Sequence, residues 1–481
     1  MYIILTPFIP YYNSRKGHRV NTGNFPYTDR VVNPSELLAK FEKNIAPNLK
    51  LSGRYDTISF MKYITRVTDS VIRKKLEGLG GLMIVGPKWC GKTSTAEQFS
   101  NSAIYIGDEE EGGNNIQTAL FRPSILLEGA TPRLVDEWQL APNLFDAARR
   151  IIDKRRQSGQ FIFTGSTTPP MEKTRHSGVG RFSYVRMYPM SLFESGESNG
   201  SISLKELFEG KSDLGTASKL SIENLVFCIL RGGWPLTLQM KDDIAISVAS
   251  DYLYALENNE WLNFPEEEKA WKPEKIKPLI QSYSRNIATP ASIETIYKDV
   301  SETGGSISRP TADAYIQKLQ KLYVIDDLPA WNVSLRSKTA LRQTPKRHLT
   351  DPSLAATAIG ATQDKLLRDL NTLGFLFESL CVRDIRVYAA ANDCSISFYR
   401  DKTELEIDII IEKTDGTWGA MEVKLGSFQE DEAAKNLITL SKRVDVNKTG
   451  DPAFLAILTG GKYPYKRKDG VFVIPIGCLA P

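Results

Sequence analysis

The stretch LMIVGPKWCGKTS, residues 82–94, decides the fold of the first half of this chain. Its four leading apolar residues predict a short buried strand, and the next eight fit the spacing G-x-x-x-x-G-K-[ST] at every fixed position. The strand leads into a glycine-containing loop, and the loop leads into a helix. The stretch therefore predicts an α/β domain in which a loop at a strand end cradles phosphate groups.

Each fixed residue of the loop has a physical task in binding a nucleotide. Gly86 and Gly91 leave room for backbone N–H groups to approach phosphate oxygens, because a side chain there would block them. Lys92 can reach and neutralise the β- and γ-phosphates, and the Thr93 hydroxyl can bind Mg²⁺. We include the adjacent Ser94 among the nucleotide-binding residues. The competing interpretation is a glycine-rich turn that carries a lysine without binding phosphate.

Length and composition indicate a soluble protein of several domains. A chain of 481 residues predicts roughly three domains, and 41% hydrophobic with 25% charged residues is typical of globular proteins. The sequence contains no apolar run of the roughly 20 residues that a membrane span needs. The five cysteines lack CxxC spacing and the three histidines lie far apart. We therefore expect a reducing, cytoplasmic setting and few candidate zinc ligands.

Residues 1–60 are irregular in pattern and rich in Asn, Pro and Tyr. They hold eight Lys or Arg against four Asp or Glu, which accounts for the whole net charge of +4. The remaining chain is neutral, so the global charge does not indicate a nucleic-acid partner. A helix is predicted to begin just after Met61. We expect Met61 to be the natural start and residues 1–60 to be an upstream extension or a mobile arm.

Strands and helices alternate after the glycine-containing loop. Residues 103–106, 134–135 and 161–163 read as strands, and residues 142–156 read as a helix with apolar residues at helical spacing. This alternation predicts a parallel sheet with crossover helices.

A second set of polar residues follows the strand at 134–135. Asp136 can hold Mg²⁺ through water, and Glu137 can polarise the water that attacks a γ-phosphate. In parallel sheets ligands lie beyond the carboxyl ends of the strands, which puts both acids beside the phosphates. Thr164 and Ser166 follow the next strand, and Ser166 is a candidate sensor of the γ-phosphate. The alternatives are an acidic helix start and a helix-capping hydroxyl.

The segment KTRHSGVGRFSYVRMYPM, residues 173–190, supplies two candidate arginines. Arg181 and Arg186 could neutralise charge in the transition state, in their own site or in that of a neighbouring subunit. We favour Arg181, because it follows a glycine-flanked turn. Surface solvation is the competing interpretation for both. A homo-oligomer is therefore among the expected assemblies.

The middle of the chain is predicted to be helical. Helices over 276–283, 293–300 and 312–322, followed by a strand at 323–325, are typical of a winged-helix domain. The segment 331–350 contains no acidic residue and carries five basic ones: Arg336, Lys338, Arg342, Lys346 and Arg347. This surplus predicts contacts with DNA phosphates. A solvated loop, or one that contacts acidic parts of this protein, is the alternative.

The stretch EIDIIIEKTDGTWGAMEVKL, residues 406–425, predicts a β-hairpin centred on its TDG turn. In that register Asp408 lies opposite Glu422, and Glu422 and Lys424 share one face. Opposed carboxylates repel, so the pattern predicts a divalent cation between them, with Glu378 on the preceding helix completing the site. In a PD-(D/E)xK nuclease such acids hold Mg²⁺ and the lysine positions water. Solvent-facing charges of an amphipathic hairpin are the alternative.

Taken together, these residues resemble bacterial and archaeal P-loop ATPases of the AAA type that carry a C-terminal domain of uncharacterised function with a nuclease-like core. The resemblance rests on GPKWCGKT, LVDEWQ, FTGS, HSGVGR, GGWP, the FES helix and the C-terminal hairpin, and covers roughly Met61 to the C-terminus. It implies ATP binding through Gly86, Lys92, Thr93 and Asp136, and a restriction-endonuclease-like fold at the end of the chain. It does not imply cleavage of nucleic acid.

The sequence therefore predicts four segments: an irregular extension over 1–60, an AAA-type P-loop ATPase domain over 61–240, a helical winged-helix-like segment over 241–350 and a nuclease-like α/β domain over 351–481. The predicted activity is hydrolysis of ATP with Mg²⁺, coupled to a DNA-associated nuclease-like domain. One alternative is a nucleotide-controlled protein that holds DNA or a protein partner without cutting. The other is an ATP-gated, Mg²⁺-dependent nuclease.

Overall fold

The computed structural model describes residues 63–107, 112–167, 178–211, 214–258, 272–302, 307–333 and 343–481. Residues 63–481 form one compact unit. The expectations about residues 1–60 and about Met61 lie outside the described residues, as do those about Arg336, Lys338 and Arg342. The described elements fall into three successive sets along the chain.

The first set of elements is built around the strand that precedes the glycine-containing loop. It comprises α1 (Thr68–Gly78), β1 (Gly81–Val85), α2 (Lys92–Glu97), β2 (Ser102–Tyr105), α3 (Gly112–Phe121), α4 (Pro123–Leu126), β3 (Arg133–Asp136), α5 (Asn143–Arg155), β4 (Phe161–Gly165), β5 (Phe182–Arg186), β6 (Ile202–Ser203) and α6 (Leu204–Phe208). Five strands form one sheet in the order β2-β3-β4-β1-β5, and all neighbours run parallel. The predicted parallel α/β sheet is confirmed.

Strand β1 lies inside the sheet and is buried on both faces. Leu82 and Ile84 pack into the apolar cluster on one side of the sheet, and Met83 and Val85 pack into the cluster on the other. An uninterrupted apolar run is what a strand covered by helices on both faces requires. Because all five strands are parallel, the segments that follow β1, β3 and β4 emerge at one edge of the sheet.

The second set of elements is helical. It comprises α7 (Ile222–Arg231), α8 (Asp242–Asn258), α9 (Pro273–Arg285), α10 (Ile293–Glu302) and α11 (Arg309–Lys321). The last three correspond to the three helices that the sequence predicts, although the winged-helix interpretation stays a prediction. Residues 323–330 and 343–350, which we call the paired segment, then face each other through the bridges Ile325–Leu349 and Leu328–Lys346.

The third set of elements forms a six-stranded mixed sheet. It comprises α12 (Pro352–Ala358), α13 (Gln363–Arg368), α14 (Leu370–Ala391), β7 (Cys394–Arg400), β8 (Glu406–Lys413), β9 (Trp418–Lys424), α15 (Glu430–Arg443), α16 (Val446–Thr449), β10 (Leu455–Thr459), β11 (Tyr465–Lys466), β12 (Phe472–Pro475) and β13 (Leu479–Ala480). Six of these strands form the sheet, in the order β11-β12-β10-β9-β8-β7, whereas β13 pairs with β6 of the first set. The paired segment reaches its edge through a bridge between Ala330 and Phe398.

The hairpin that the sequence predicts is formed by β8 and β9. Ile409 pairs with Met421 and Glu412 pairs with Trp418, so the register continues to Asp408 opposite Glu422 as predicted. An extra residue on β8 shifts its register with β7, where Ser397 and Tyr399 pair with Ile410 and Ile407. Such a bulge redirects the neighbouring side chains, here those around Asp408.

A buried arginine joins the three sets of elements. Arg383 of α14 pairs with Asp351 at 3.0 Å and with Asp384 at 2.7 Å, and all three side chains are buried. Asp351 also accepts a hydrogen bond from the backbone N–H of Gly233 at 3.0 Å, and Asp384 accepts one from that of Leu192 at 2.9 Å. The guanidinium thereby pairs with two carboxylates. One of them accepts a backbone hydrogen bond from the first set of elements, and the other accepts one from the second set.

Two further structural facts concern the whole described chain. Among the described residues, no helix has the length and apolar character to span a membrane. All five cysteines are free thiols, which agrees with their lack of paired spacing.

We predict that Arg383→Leu lowers the free energy of unfolding by about 3–5 kcal/mol, because it leaves two buried carboxylates without their cation. The matched control is Arg309→Leu, which breaks an exposed ion pair with Glu294 and is expected to cost less than about 1 kcal/mol. Chemical denaturation of the three proteins measures both values. Equal losses of unfolding free energy in the two variants would show that the ion pairs of Arg383 stabilise the fold no more than an exposed ion pair does.

Candidate functional site

The glycine-containing loop after β1 adopts a backbone that only glycine permits at two points. Gly86 and Gly91 have φ values of +155° and +94°. A Cβ atom on Gly86 would lie 2.3 Å from the carbonyl oxygen of Met187, which leaves no room for any side chain. The loop is therefore shaped as a compact backbone cradle, as the sequence predicts.

Lys92 is nearly buried inside this cradle. Its ammonium donates a hydrogen bond to the carbonyl oxygen of Pro87 at 2.7 Å, within the same loop. A lysine held against one loop carbonyl can exchange that partner for a phosphate oxygen with a small rotation of its flexible side chain. The donor set of the loop therefore fits a phosphorylated ligand.

An arginine from outside the motif stabilises the loop through hydrogen bonds to its backbone. Arg66 donates to the carbonyl oxygens of Cys90 at 2.7 Å and Tyr188 at 2.8 Å, and pairs with Glu194 at 2.9 Å. Burial opposes ionisation of Glu194, but the ion pair with Arg66 outweighs it and lowers the pKa of that carboxyl group. Sequence spacing gave no signal for this brace, because its partners lie up to 128 residues apart.

The acid and hydroxyl groups that the sequence assigns to Mg²⁺ are in direct contact. Thr93 donates a hydrogen bond to the Asp136 carboxylate at 2.9 Å, and Thr164 also donates to that carboxylate. Ser166 is buried two residues beyond Thr164. Loop, β3 and β4 therefore bring a hydroxyl, a carboxylate and a second hydroxyl together, which is the donor set of a hard cation that also binds phosphate.

Glu137 is exposed and turned away from this group. Its backbone is left-handed, with φ of 51°, and its carboxylate lies against Gly107 beyond β2. Strand β2 is on the far side of β3 from the loop strand β1. In this conformation Glu137 is at the correct edge of the sheet but does not face Thr93.

A cavity of about 250 Å³ adjoins the loop on the side of Ser166. The first set of elements contributes Lys88, Trp89 and Ser166, and the helical set contributes Tyr252, Ala255, Leu256, Leu322 and Val324. Trp89 meets Tyr252 edge-on at a centroid distance of 5.3 Å, and Tyr252 stacks on Trp234 at 4.9 Å. The helical set therefore contacts the loop directly, which sequence pattern does not reveal.

The structure separates the two candidate arginines. Arg181 precedes Phe182, which pairs with Gly81 at the start of β1, whereas the loop begins at its other end, roughly 16 Å away. Arg181 pairs with Asp153 at 2.8 Å and cannot reach the loop of its own chain. The distance of Arg181 from the loop was predictable from the parallel strand order, because a residue that precedes a strand lies at the opposite edge of the sheet from the one where ligands bind.

Arg186 lies at the loop end of β5, beside Val85, but is engaged elsewhere. It pairs with Asp326 at 2.8 Å and stacks over the rings of Tyr188 and Tyr323 at 4.9 and 5.1 Å. Asp326 also pairs with Arg386 of α14. Arg186 therefore acts as a link between the three sets of elements in this conformation.

The predicted contact of residues 331–350 with DNA phosphates is wrong at two positions. Lys346 and Arg347 are 1% and 3% exposed, so neither is available to DNA phosphates. Arg347 pairs with Asp327. The alternative that the sequence left open, contact with acidic parts of this protein, holds for both residues. The charge run looked available to DNA because its acidic partners are distant in sequence.

Lys346 lies at the centre of a carboxylate cluster. Its ammonium nitrogen is 2.8 Å from Glu378 and 2.7 Å from both Glu406 and Asp408. Burial opposes the charge on Lys346, but these acids outweigh it and raise its pKa well above the ordinary value. The predicted carboxylates are thus brought together, around a residue that the sequence did not assign to them.

The remaining predicted residues complete the cluster on β9. Lys424 lies 2.9 Å from Glu422 and 3.7 Å from Asp408. Burial and the neighbouring Asp408 raise the pKa of Glu422 well above its ordinary value, while Lys346 and Lys424 lower that of Asp408 despite burial. Burial and Asp408 raise the pKa of Glu378 to about 7. The ammonium groups of Lys346 and Lys424 therefore lie among four acidic side chains.

The cation in this cluster differs from the one that the sequence predicts. Opposed carboxylates led us to expect a divalent metal, whereas the Lys346 ammonium supplies the charge between Glu378 and Asp408. Among the described residues, no group of three or more His, Cys, Asp or Glu side chains has the arrangement of a metal site.

Comparison with protein families assigns the first part of the chain. Residues 80–195, which contain the loop and the Thr93–Asp136 contact, match the family model described as AAA domain. This segment is similar to AAA domains, and we refer to it as the AAA-type domain. Residues 222–365 match a domain of unknown function, DUF8612, and residues 373–479 match another, DUF4143. The AAA-type domain therefore carries two further regions, and Lys346 and the carboxylates around it fall in different ones.

Two curated proteins resemble almost the whole chain. Uncharacterized proteins of Mycobacterium bovis and Mycobacterium tuberculosis are each 22% identical over 435 residues, which is 89% of this chain and 88% of theirs. Among solved structures, a Walker-type ATPase of Pyrococcus abyssi is 13% identical, with a TM-score of 0.36, over 62% of this chain and 96% of that one. The mycobacterial likeness indicates that the three regions occur together in other proteins.

We predict that His348→Gln flattens the acid side of the stability profile. Burial and the nearby Lys346 lower the pKa of His348 to about 3, from an ordinary value of 6.5. Stability linked to neutral His348 is therefore present above pH 6.5 and is lost as the pH falls toward 3. Between pH 6.5 and 5 the wild type should lose about 2 kcal/mol more than the variant, measured by chemical denaturation.

The comparison with the variant is needed because Glu378 works in the opposite direction. Its raised pKa makes the folded protein more stable as the pH falls below 7, in wild type and variant alike. Identical pH profiles in the two proteins would show that His348 is not held neutral.

Proposed function

We propose that this protein binds ATP with Mg²⁺ at the loop of residues 86–93, hydrolyses it, and uses the nucleotide state to control a binding function of its C-terminal region. The observation that carries the proposal is the contact of Thr93 with Asp136 beside a glycine-shaped loop that encloses Lys92. Hydroxyl, carboxylate and ammonium converge at the strand edge where parallel sheets bind ligands.

Each residue of the proposed site has a distinct task. Lys92 leaves the Pro87 carbonyl and binds the β- and γ-phosphate oxygens. Thr93 and Asp136 would hold Mg²⁺, and Ser94 would be a further nucleotide-binding residue. When bound, Mg²⁺ neutralises charge on the phosphates during transfer to water.

Activation of water is assigned to Glu137. Its carboxylate now lies against Gly107, so hydrolysis requires a rotation of this exposed side chain toward the phosphates. Ser166, buried beside the cavity next to the loop, is proposed to contact the γ-phosphate. Arg181 lies too far from its own loop, so its proposed role applies to the site of a neighbouring subunit in a homo-oligomer.

A binding function without cleavage is favoured for the C-terminal region over a nuclease. The cluster of acids that would hold a catalytic metal is centred on the Lys346 ammonium. DNA remains a proposed partner through Arg336, Lys338 and Arg342, which lie outside the described residues. A protein partner is the other candidate, and an ATP-gated, Mg²⁺-dependent nuclease is the rival function.

We predict that Lys92→Ala lowers the steady-state rate of Mg²⁺-dependent ATP hydrolysis roughly 100-fold or more, because it removes the positive charge at the phosphates. Lys154→Ala, an exposed lysine on α5 of the same domain, is the matched control and should keep the wild-type rate. Phosphate release measured with Mg²⁺ and with EDTA tests both. Equal rates in the two variants would overturn the assignment of the loop.

The same assay separates the proposed partners. Double-stranded DNA should raise the rate if DNA is the partner, whereas an unchanged rate favours a protein partner. Incubation of DNA with Mn²⁺ tests the rival nuclease, with Asp408→Asn as its control. Cleavage by the wild type that the variant lacks would contradict a binding function without cleavage.

A further inference from the structure

The edge of the first sheet that lies opposite the nucleotide loop carries a surplus of positive charge. Residues 73–77, at the end of α1, contain three Lys or Arg and one Glu, and residues 149–156, at the end of α5, contain five Lys or Arg and one Asp. Each helix ends just before a strand of the parallel sheet begins, so both runs lie at the amino-terminal edge of the strands. The loop follows the carboxyl end of β1, at the other edge.

Backbone contacts join the two helix ends. The N–H of Gly159 donates to the carbonyl oxygen of Leu79 at 2.9 Å, and the N–H of Gln160 donates to that of Gly80 at 2.8 Å. A Cβ atom on Gly159 would lie 3.1 Å from the carbonyl oxygen of Leu76, on α1. The segment after α5 therefore packs directly against the end of α1, which brings the two basic runs side by side.

Four exposed arginines of these runs have no acidic partner within the part of the chain that the structure describes. Asp153, the acid of the second run, is already paired with Arg149 at 3.3 Å and with Arg181 at 2.8 Å. Glu77, the acid of the first run, offsets only one of the remaining charges. We call the four residues the arginine patch: Arg73, Arg150, Arg155 and Arg156.

Stabilisation of the helix ends accounts for only part of this charge. The C-terminus of a helix carries about half a unit of negative charge, which a cation in the last turn offsets. The last turn of α1 contains Lys75, and that of α5 contains two basic residues. Arg73, Arg150 and Arg156 lie outside those turns, so the helix dipoles do not account for them.

The chemistry of the patch fits the phosphate backbone of a nucleic-acid duplex. A guanidinium group binds a phosphate through two parallel N–H donors and keeps its charge at physiological pH. The two runs contain no aromatic residue, whereas the binding of single strands relies on aromatic rings for base stacking. Their apolar residues are buried or half-buried, so a membrane surface would find no apolar side chain to take up.

Helix α1 connects the patch to the proposed nucleotide site. Arg66, just before this helix, donates to the carbonyl oxygen of Cys90 in the loop at 2.7 Å. Arg73 lies seven residues further along the chain, which is about 10 Å along a helix. A ligand on the patch would therefore contact the same rigid element that holds the loop.

We propose that the arginine patch binds the phosphates of a nucleic-acid duplex without reading its sequence. This inference rests on the proposed function, because DNA is one of its candidate partners, and it gives that partner a surface on the AAA-type domain. Duplex and nucleotide then bind at opposite edges of one sheet and can be bound at the same time.

Fluorescence anisotropy of a short labelled duplex, measured without nucleotide over a series of salt concentrations, tests the proposal on the full chain. Arg155→Gln combined with Arg156→Gln should weaken binding at least tenfold at low salt. It should also reduce the slope of log affinity against log salt concentration by about 2, because each lost phosphate contact removes about 0.9 from that slope. Arg73→Gln combined with Arg150→Gln should act in the same direction.

The matched control is Lys205→Gln combined with Lys298→Gln, which removes two exposed charges elsewhere and should leave affinity and slope within twofold of the wild type. Melting temperatures establish that all variants are folded. DNA and RNA duplexes of one length are compared, because both present phosphates: binding of either supports the proposal, and the tighter one identifies the partner. Two DNA duplexes of unrelated sequence should bind equally.

The proposal is overturned if no duplex binds, or if the arginine variants bind as tightly as the lysine control. It is also overturned if poly-L-glutamate competes as well as the duplex at equal charge, which would indicate an acidic protein partner. Lys92→Ala separates this test from that of the proposed function, since it should lose ATP hydrolysis but bind the duplex like the wild type. Duplex binding through the patch in a wild type that hydrolyses no ATP would contradict only the proposed function.

Discussion

Buried carboxylates matched by cations from distant parts of the chain are the interaction on which this structure depends. Asp326 is paired with Arg186, Asp351 with Arg383, and Asp408 with Lys346. A buried charge costs several kcal/mol unless a partner and hydrogen bonds offset it. Each set of elements therefore leaves ionised groups unsatisfied unless the others are folded against it, and the AAA-type domain and its two further regions are interdependent.

The paired segment connects the proposed nucleotide site with the carboxylate cluster. Val324, at its start, lines the cavity beside Trp89 and Ser166, and Leu328, four residues later, is hydrogen-bonded to Lys346. A second connection runs from Trp89 through Tyr252 to Trp234, next to Gly233, which donates to Asp351. A ligand that moved the loop would act on contacts of both routes. The two regions are therefore linked by a continuous set of contacts, which would give the proposed nucleotide-controlled function a physical path.

Features set by local sequence were predictable, and features set by distant partners were not. The run before the loop specified β1, and a hairpin centred on the TDG turn placed Asp408 opposite Glu422. The brace by Arg66 and the burial of Lys346 were missed, because a charged residue does not show in sequence which acid neutralises it. These are long-range pairings, and only the assembled fold brings them together.

The candidate site also contains both features set by local sequence and features set by distant residues. The proximity of Asp136 to Thr93 agrees with motif spacing and strand order, since Asp136 ends β3 and Thr93 follows the loop after β1 at the same edge of the sheet. The orientation of Glu137 depends on a left-handed backbone that spacing does not specify. The residues that the helical set contributes to the cavity, such as Tyr252, come from a region without any sequence motif.

The most direct test of the account is an anomalous difference map from crystals of the wild-type protein grown with Mn²⁺ and a non-hydrolysable ATP analogue. We expect a Mn²⁺ peak between Thr93 and Asp136 and none between Glu378 and Asp408, where the Lys346 ammonium should remain. A peak at the carboxylate cluster with Lys346 displaced, or no peak beside Thr93 despite bound nucleotide, would contradict it.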